Sequence, residues 1–189
     1  MQTCTPVTWD IQYDTSPTAV RYCKKCKQKT EYISSGEFRV NAQQKNLDIW
    51  LIYKCTNCNT TWNNTIYSRV SPQLLDSSLL ERFHSNDEIL ALQYAMNTAL
   101  LRQNGSEIKL PEYQIVGDDV TLDSDLQIKI RSQYYLPIKL SSIIRRKLGL
   151  SQREFEQLYS DRRIDSNTDQ DLRKARFSSE VIINISPTT

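Results

Sequence analysis

The sequence predicts an α+β protein, with strands concentrated before residue 70 and helices after it. Three observations carry that expectation. Two Cys-x-x-Cys pairs sit in runs rich in aromatic and β-branched residues, the hydrophobic period lengthens at Ser71, and cap and breaker signals cluster again at 137–164. The expected architecture has four parts: an N-terminal three-stranded antiparallel ribbon closed by a metal at 1–70, a central helical hairpin at 71–110, a linker at 111–125, and a small C-terminal α+β domain with a helix-turn-helix pair at 126–189.

The cysteine pairs are Cys23 and Cys26 in Arg21-Tyr-Cys-Lys-Lys-Cys-Lys27, and Cys55 and Cys58 in Tyr53-Lys-Cys-Thr-Asn-Cys-Asn59, with 28 residues between them. Two such hooks can supply four thiolates to one tetrahedral Zn²⁺, which makes the N-terminal part a zinc ribbon with a structural ion. The two-residue gap lets both sulfurs of a hook turn to the same ion while turn N–H groups stabilise the thiolate charge. The competing readings are redox motifs and disulfides. A redox Cys-x-x-Cys is expected beside a βαβ pattern, and none surrounds these hooks. Secretion is disfavoured by a start, Met1-Gln-Thr-Cys-Thr-Pro-Val-Thr-Trp9, with neither a basic opening nor an apolar run of signal length. Cys4 is left over and is expected to be an ordinary free thiol rather than a fifth ligand.

Along the chain, the alternation Trp9, Ile11, Tyr13 predicts a short strand added to the ribbon and ended by Pro17. Thr30 to Asn41 is strand-like, with Gly36 as a bend or bulge; Leu47 to Lys54 runs into the second hook and Thr60 to Val70 runs out of it. So small a ribbon buries little apolar surface, so metal binding supplies much of its folding free energy, on the order of 10 kcal/mol. Phe38, Trp50 and Trp62 are expected to cover the sheet face, with base stacking as the alternative use.

Pro72 to Phe83 carries Leu74, Leu75, Leu79 and Leu80 at helical spacing, and Ser85 to Glu88 has the spacing of a capping box. That box would open a longer helix with an apolar stripe of Ile89, Leu92, Met96, Ala99 and Leu100, closed by Gly105. His84, the single histidine, falls at the junction and is expected to be a helix-end residue rather than a base or ligand, because no catalytic partner lies nearby. Pro111 to Asp125 is acidic and turn-rich, with room for one short strand at Tyr113 to Val116, and Leu126, Ile128, Ile130 predict another. At 137–164, Ser141 would cap a helix carrying Ile143, Ile144 and Leu148, Gly149 would end it, and Ser151 would cap a second carrying Phe155, Leu158 and Tyr159.

The net charge of +2 conceals a segregated distribution. Residues 1–70 hold 9 basic and 5 acidic side chains, 71–136 hold 5 and 10, and 137–176 hold 10 and 6. Two basic blocks around an acidic middle suit a nucleic-acid partner, and they suit solvated faces equally. In the second block Arg145, Arg146, Lys147 and Arg153 would occupy the exposed side of the helix pair. No apolar run reaches bilayer length, so the cytoplasm is the expected compartment. Catalysis is not expected: four thiolates leave zinc no open position, the deaminase pattern His-x-Glu with Pro-Cys-x-x-Cys is absent, and four glycines form no phosphate loop. The partners to expect are RNA or another protein, with no small-molecule cofactor.

Two resemblances add to this. Lys139-Leu-Ser141, Ile144, Leu148-Gly-Leu-Ser151, Phe155, Leu158 and Ile164 resemble the small RNA-binding domain of the ribosomal-protein-S-four type. The resemblance implies that Lys139 and Arg153 hold RNA phosphates, that Arg162 and Arg163 extend the patch, and that Ser179 to Ile185 is the last strand. The chain departs from that pattern at Arg162, where the family has Gly, at Ser141, where it has Asp, and at Asp165 to Gln170, where it has an Asn-Gly turn. Separately, Phe38-Arg-Val-Asn-Ala42, Leu47 to Lys54 with Cys55-x-x-Cys58, Thr61-Trp-Asn63 and Phe83-His-Ser-Asn-Asp87 are similar to an uncharacterised bacterial family catalogued as domain of unknown function 1062. That likeness implies a bacterial cytoplasmic protein and brings no activity with it.

Overall fold

The computed structural model describes residues 7–43, 45–168 and 170–187; Cys4 lies outside them. The strands are β1 (Val7–Tyr13), β2 (Thr18–Cys23), β3 (Gln28–Gln43), β4 (Asn46–Cys55), β5 (Thr61–Val70), β6 (Glu107–Lys109), β7 (Tyr113–Val116), β8 (Leu126–Ser132), β9 (Ile164–Ser166) and β10 (Val181–Ile185). The helices are α1 (Ser77–His84), α2 (Glu88–Ala95), α3 (Thr98–Gln103), α4 (Leu140–Leu148) and α5 (Gln152–Ser160), with a 3₁₀ turn at Pro72–Leu74. These elements form two units, one of Thr15–Glu112 and one of Met1–Asp14 with Tyr113–Thr189.

The first unit is built on an antiparallel sheet of order β5-β4-β3-β2-β6. Its most buried strand is β4, where Ile52 is buried on one face and alternation puts Leu47, Ile49, Leu51, Tyr53 and Cys55 on the other, also buried. Against that face lie α1 and α2, which contribute Phe83, Leu90, Ala91 and Ala95. Phe38 stands edge-on to Phe83 and Tyr94, the packing geometry aromatic quadrupoles favour. Between Ser34 and Phe38 the β3–β4 register shifts, around Gly36 at φ +75°, as its lack of a Cβ allows.

The expected fold, a three-stranded zinc ribbon beside a separate helical hairpin and a small C-terminal domain, is corrected: the protein is sheet-rich, with two five-stranded sheets. The ribbon gains β2 and β6, and in place of one hairpin three short helices follow it, α1 and α2 packed on β3 and α3 against β6 and α2. The long helix expected after Ser85 is divided because Asn97 accepts from the Leu100 N–H and starts α3. Its cap is Asp87, which accepts from the Leu90 N–H, and no capping box forms at Ser85. The break changes the phase of the apolar stripe. Ile89 and Leu92 face solvent, whereas Leu90, Ala91, Ala95, Met96 and Leu101 are buried. Gly105 does end the helical stretch, in the left-handed region at φ +78°, and His84 is exposed at the end of α1.

The second unit has the order β7-β1-β8-β10-β9, in which β1 and β8 run parallel and the other pairs antiparallel. The Trp9-Ile11 alternation therefore makes a strand, but one that pairs with β7 and β8 rather than joining the ribbon. Period identifies a strand and is silent about its partner. Trp9, Ile11, Ile128, Ile130, Val181 and Ile183 are buried together with Ile143 and Ile144 of α4 and Phe155 of α5. Gly149, left-handed at φ +67°, ends α4, and Ser151 with Glu154 forms a complete capping box on α5. The start of α4 is Lys139, not Ser141, which is buried within the first turn. No helix among the described residues is long and apolar enough to cross a membrane.

Candidate metal centre

Each cysteine hook lies in the turn of a hairpin, Cys23–Cys26 between β2 and β3, Cys55–Cys58 between β4 and β5. Because β3 is antiparallel to both β2 and β4, and Tyr32 of β3 pairs with both Ala19 and Cys55, the two turns emerge side by side. Cys23 and Cys55 end the core-facing rows of their strands and are fully buried; Cys26 and Cys58 come half-buried from the turns. Lys27 (φ +55°) and Asn59 (φ +59°) follow the second cysteine of each hook in the left-handed region, which turns the chain back into the sheet.

The four Sγ atoms lie within 4.8 Å of one another, with Cys23 to Cys58 at 3.5 Å and Cys26 to Cys55 at 3.9 Å. Bonds of about 2.3 Å from one ion to four sulfurs require tetrahedral edges of about 3.8 Å. The arrangement is of the right size and donor type to hold one metal ion. Its surroundings favour thiolate. The Thr30 hydroxyl stands 3.3 Å from Cys55 Sγ and the Thr60 hydroxyl 3.1 Å from Cys58 Sγ.

The electrostatics of three of the sulfurs are compatible with a bound cation. A hydrogen bond from the Tyr32 hydroxyl, with the Cys26 N–H behind it, lowers Cys23 to about 6. Burial opposes ionisation of Cys55, but the Thr30 hydroxyl and the N–H groups of Asn57 and Cys58 outweigh it and lower its pKa. Cys26 is pushed up to about 12, first by its hydrogen bond with Cys58 and then by burial and the neighbouring sulfurs. Four negative sulfurs this close repel one another strongly in a partly buried site, and a bound divalent ion removes that penalty.

The metal end of the sheet is fastened to the core. Tyr32 meets Trp62 edge-on, Tyr53 tilts against Trp62 at 5.3 Å, and the Arg21 guanidinium lies 4.0 Å over the Trp62 ring while donating to the Asn104 carbonyl at 2.6 Å. Asn104 also donates to Asn64 Oδ1 and the Thr65 carbonyl. Tyr32, Thr30 and Thr60 were not legible as site residues, since only strand pairing brings the first two to the sulfurs.

The basic residues singled out around α4 and α5 divide into two groups. Arg145 donates to Gln152 Oε1 at 2.6 Å and to the Leu150 carbonyl, Lys147 donates to the Gly117 carbonyl at 2.8 Å and pairs with Asp119, and Arg163 donates to the carbonyls of Ser186 and Pro187. Arg146 lies 4.8 Å over the Tyr113 ring. Arg145, Lys147 and Arg163 are committed to the unit's own structure, whereas Arg146 stays exposed. Lys139, Arg153 and Arg162 are exposed; Arg162 takes a left-handed φ of +55° where the resembling domain has Gly.

No curated protein and no solved structure matches the chain. A family model described as protein of unknown function (DUF1062) matches residues 40–170, a span that includes Cys55 and Cys58 and begins after Cys23 and Cys26. With well over half of its length matched, the chain belongs to the DUF1062 family.

Proposed function

We propose that this chain is a non-enzymatic zinc protein of the cytoplasm that binds RNA, using Lys139, Arg153 and Arg162 on the α4–α5 segment. The zinc half rests on the convergence of four sulfurs. An all-thiolate tetrahedral set suits Zn²⁺, and a complete shell of protein ligands leaves no position for a reactive water, which assigns the ion a structural role. The expected result is one zinc ion per chain by native mass spectrometry, lost in Cys55→Ser; a metal-free native protein would end the reading.

The RNA half is carried by one observation, the exposure of Lys139, Arg153 and Arg162, and of Arg146 with them, beside Arg145 and Lys147, which are anchored in the unit. Anchored cations hold the helices rigid, and exposed ones remain to neutralise phosphates. The turn geometry at Gly149 and Arg162 supports the likeness to the S-four-type RNA-binding domain. A filter-binding titration against total RNA tests it: wild type binds at low salt and Arg153→Glu weakens binding. Absence of binding, or indifference to Arg153→Glu, refutes it.

A second reading, a protein-interaction module, is favoured by Leu74, Ile89 and Leu92, which are 79%, 62% and 41% exposed on one unit. Co-purification of a single protein that survives nuclease treatment would favour it over RNA.

A further inference from the structure

Beside α5 lies an open cleft of about 750 Å³, lined among others by Tyr159, Arg162, Asp165, Ser166, Thr168 and Asp171. A second cleft of about 490 Å³, lined by Lys174, Arg176 and Ser178, shares Gln170 and Asp171 with the first. The two therefore adjoin at Gln170 and Asp171, and together they are taken as one groove. At its far end the backbone of Arg176 bridges that of Lys139, so the residue that opens α4 borders the same track.

The charges along this groove are not balanced. Asp171 is neutralised by Arg173, which grips its carboxylate through Nε and Nη2 at 2.9 and 2.7 Å and covers the Tyr159 ring at 4.7 Å. Asp165 accepts from the neutral Asn184 amide at 2.7 Å and keeps its negative charge, so the excess of cations lies toward Lys174 and Arg176. Arg162, Lys174, Arg176 and Lys139 are exposed, and none is in an ion pair among the described residues. Arg176 is oriented by its bond to the Pro137 carbonyl at 2.8 Å. A groove edged by four cations, with Ser166 and Thr168 hydroxyls and a Gln170 amide on its floor, has the composition of a channel for a phosphodiester chain, cations for the phosphates and neutral groups for the sugars.

We propose that single-stranded RNA lies in this groove, its backbone running from Arg162 past Lys174 and Arg176 to Lys139. This rests on the RNA reading above and gives it a path and a strand preference, since cations spaced along an irregular cleft with neutral polar groups between them suit one flexible backbone better than a rigid duplex. Lys174 and Arg176 then contact RNA directly, although nothing in the sequence marks them.

Fluorescence anisotropy with a labelled 12-nucleotide oligouridine, and with a 12-base-pair RNA duplex, tests this on the full chain. Wild type is expected to bind the single strand more tightly than the duplex. The variant Lys174→Glu/Arg176→Glu should weaken single-strand binding by at least tenfold and make the dependence of log K on log salt shallower by about 1.4, from about 0.7 per lost phosphate contact. Arg162→Gly removes one cation at a φ that glycine adopts freely and should cost a smaller factor without unfolding the unit. The groove assignment is overturned if the double variant binds like wild type while Arg153→Glu binds less, or if the duplex binds more tightly. Failure of wild type to bind either RNA overturns the RNA reading itself.

Discussion

Replacing Tyr53 by Phe should make this protein more stable, an unusual outcome for a change in the core beside a metal site. Tyr53 is fully buried, and its hydroxyl has no hydrogen-bond partner among the described residues. An unpaired buried hydroxyl costs about 1–3 kcal/mol relative to its hydrated state in the unfolded chain. Tyr53→Phe removes that oxygen and keeps the ring, whose packing on Trp62 at 5.3 Å is unchanged. A gain of about 1 kcal/mol or more is expected in urea unfolding at pH 8, measured on the metal-loaded protein. Burial also raises the Tyr53 pKa, so the sign of its pH dependence is fixed. The folded state keeps the phenol proton that the unfolded chain gives up near pH 10; the resulting stability is full below that pH and is lost as pH rises. At pH 11 the unfolded wild type gains about 1.4 kcal/mol from this one ionisation, and Tyr53→Phe does not. The difference between the two proteins should widen by that amount from pH 8 to pH 11. A Tyr53→Phe variant less stable than wild type at pH 8, or a gap that does not widen, refutes the argument.

Gly117→Ala should unfold the unit that contains it or force its loop to move. Gly117 has φ +141°, and a Cβ there would stand 2.2 Å from the Thr8 carbonyl oxygen and 3.0 Å from the Trp9 ring. Loss of the Trp9 Nε1 bond to the Asp118 carbonyl would follow, readable as a shift in tryptophan fluorescence with a lower Tm; an unchanged Tm would contradict the contact. Asp87→Asn should flatten the acid limb of stability: the Arg82 hydrogen bond, with the Leu90 N–H, holds Asp87 below the usual carboxylate range, so its contribution is present above about pH 4 and is lost as pH falls through the depressed value. Unfolding curves of the two proteins that stay parallel from pH 6 to pH 2.5 would count against that pairing.

The hooks were readable because metal ligation fixes spacing as well as residue type, and Cys55 is doubly marked as the last member of an apolar alternation. Local signals are reliable at Gly36, Gly149 and the Ser151 cap, but not at Ser85 and Ser141, where Asp87 and Lys139 take the cap position instead. What escaped was anything set by distant pairing. Val7–Tyr13 looks like a ribbon strand because it precedes a ribbon, yet its partners begin more than a hundred residues later. The helices after Ser71 failed for a smaller reason: Asn97 is as good an N-cap as Asp87, and a second start within one apolar run rotates the buried face from Ile89 and Leu92 to Leu90 and Ala91. Tyr32 and Thr30, which steady the sulfurs, are ordinary strand residues until the register is known.

The placement of β1 has a consequence for biosynthesis. The strand leaves the ribosome before its partners, and its slot between β7 and β8 does not exist until residues 113 to 132 have been translated. Meanwhile Thr15–Glu112, self-contained in its pairing, can fold and load metal while its amino-terminal neighbour waits as a nascent chain with Trp9 and Ile11 uncovered. The unit that carries the four cysteines is thus an insertion in the chain of the other, and a fragment beginning at Tyr113 would lack an interior strand of its own sheet.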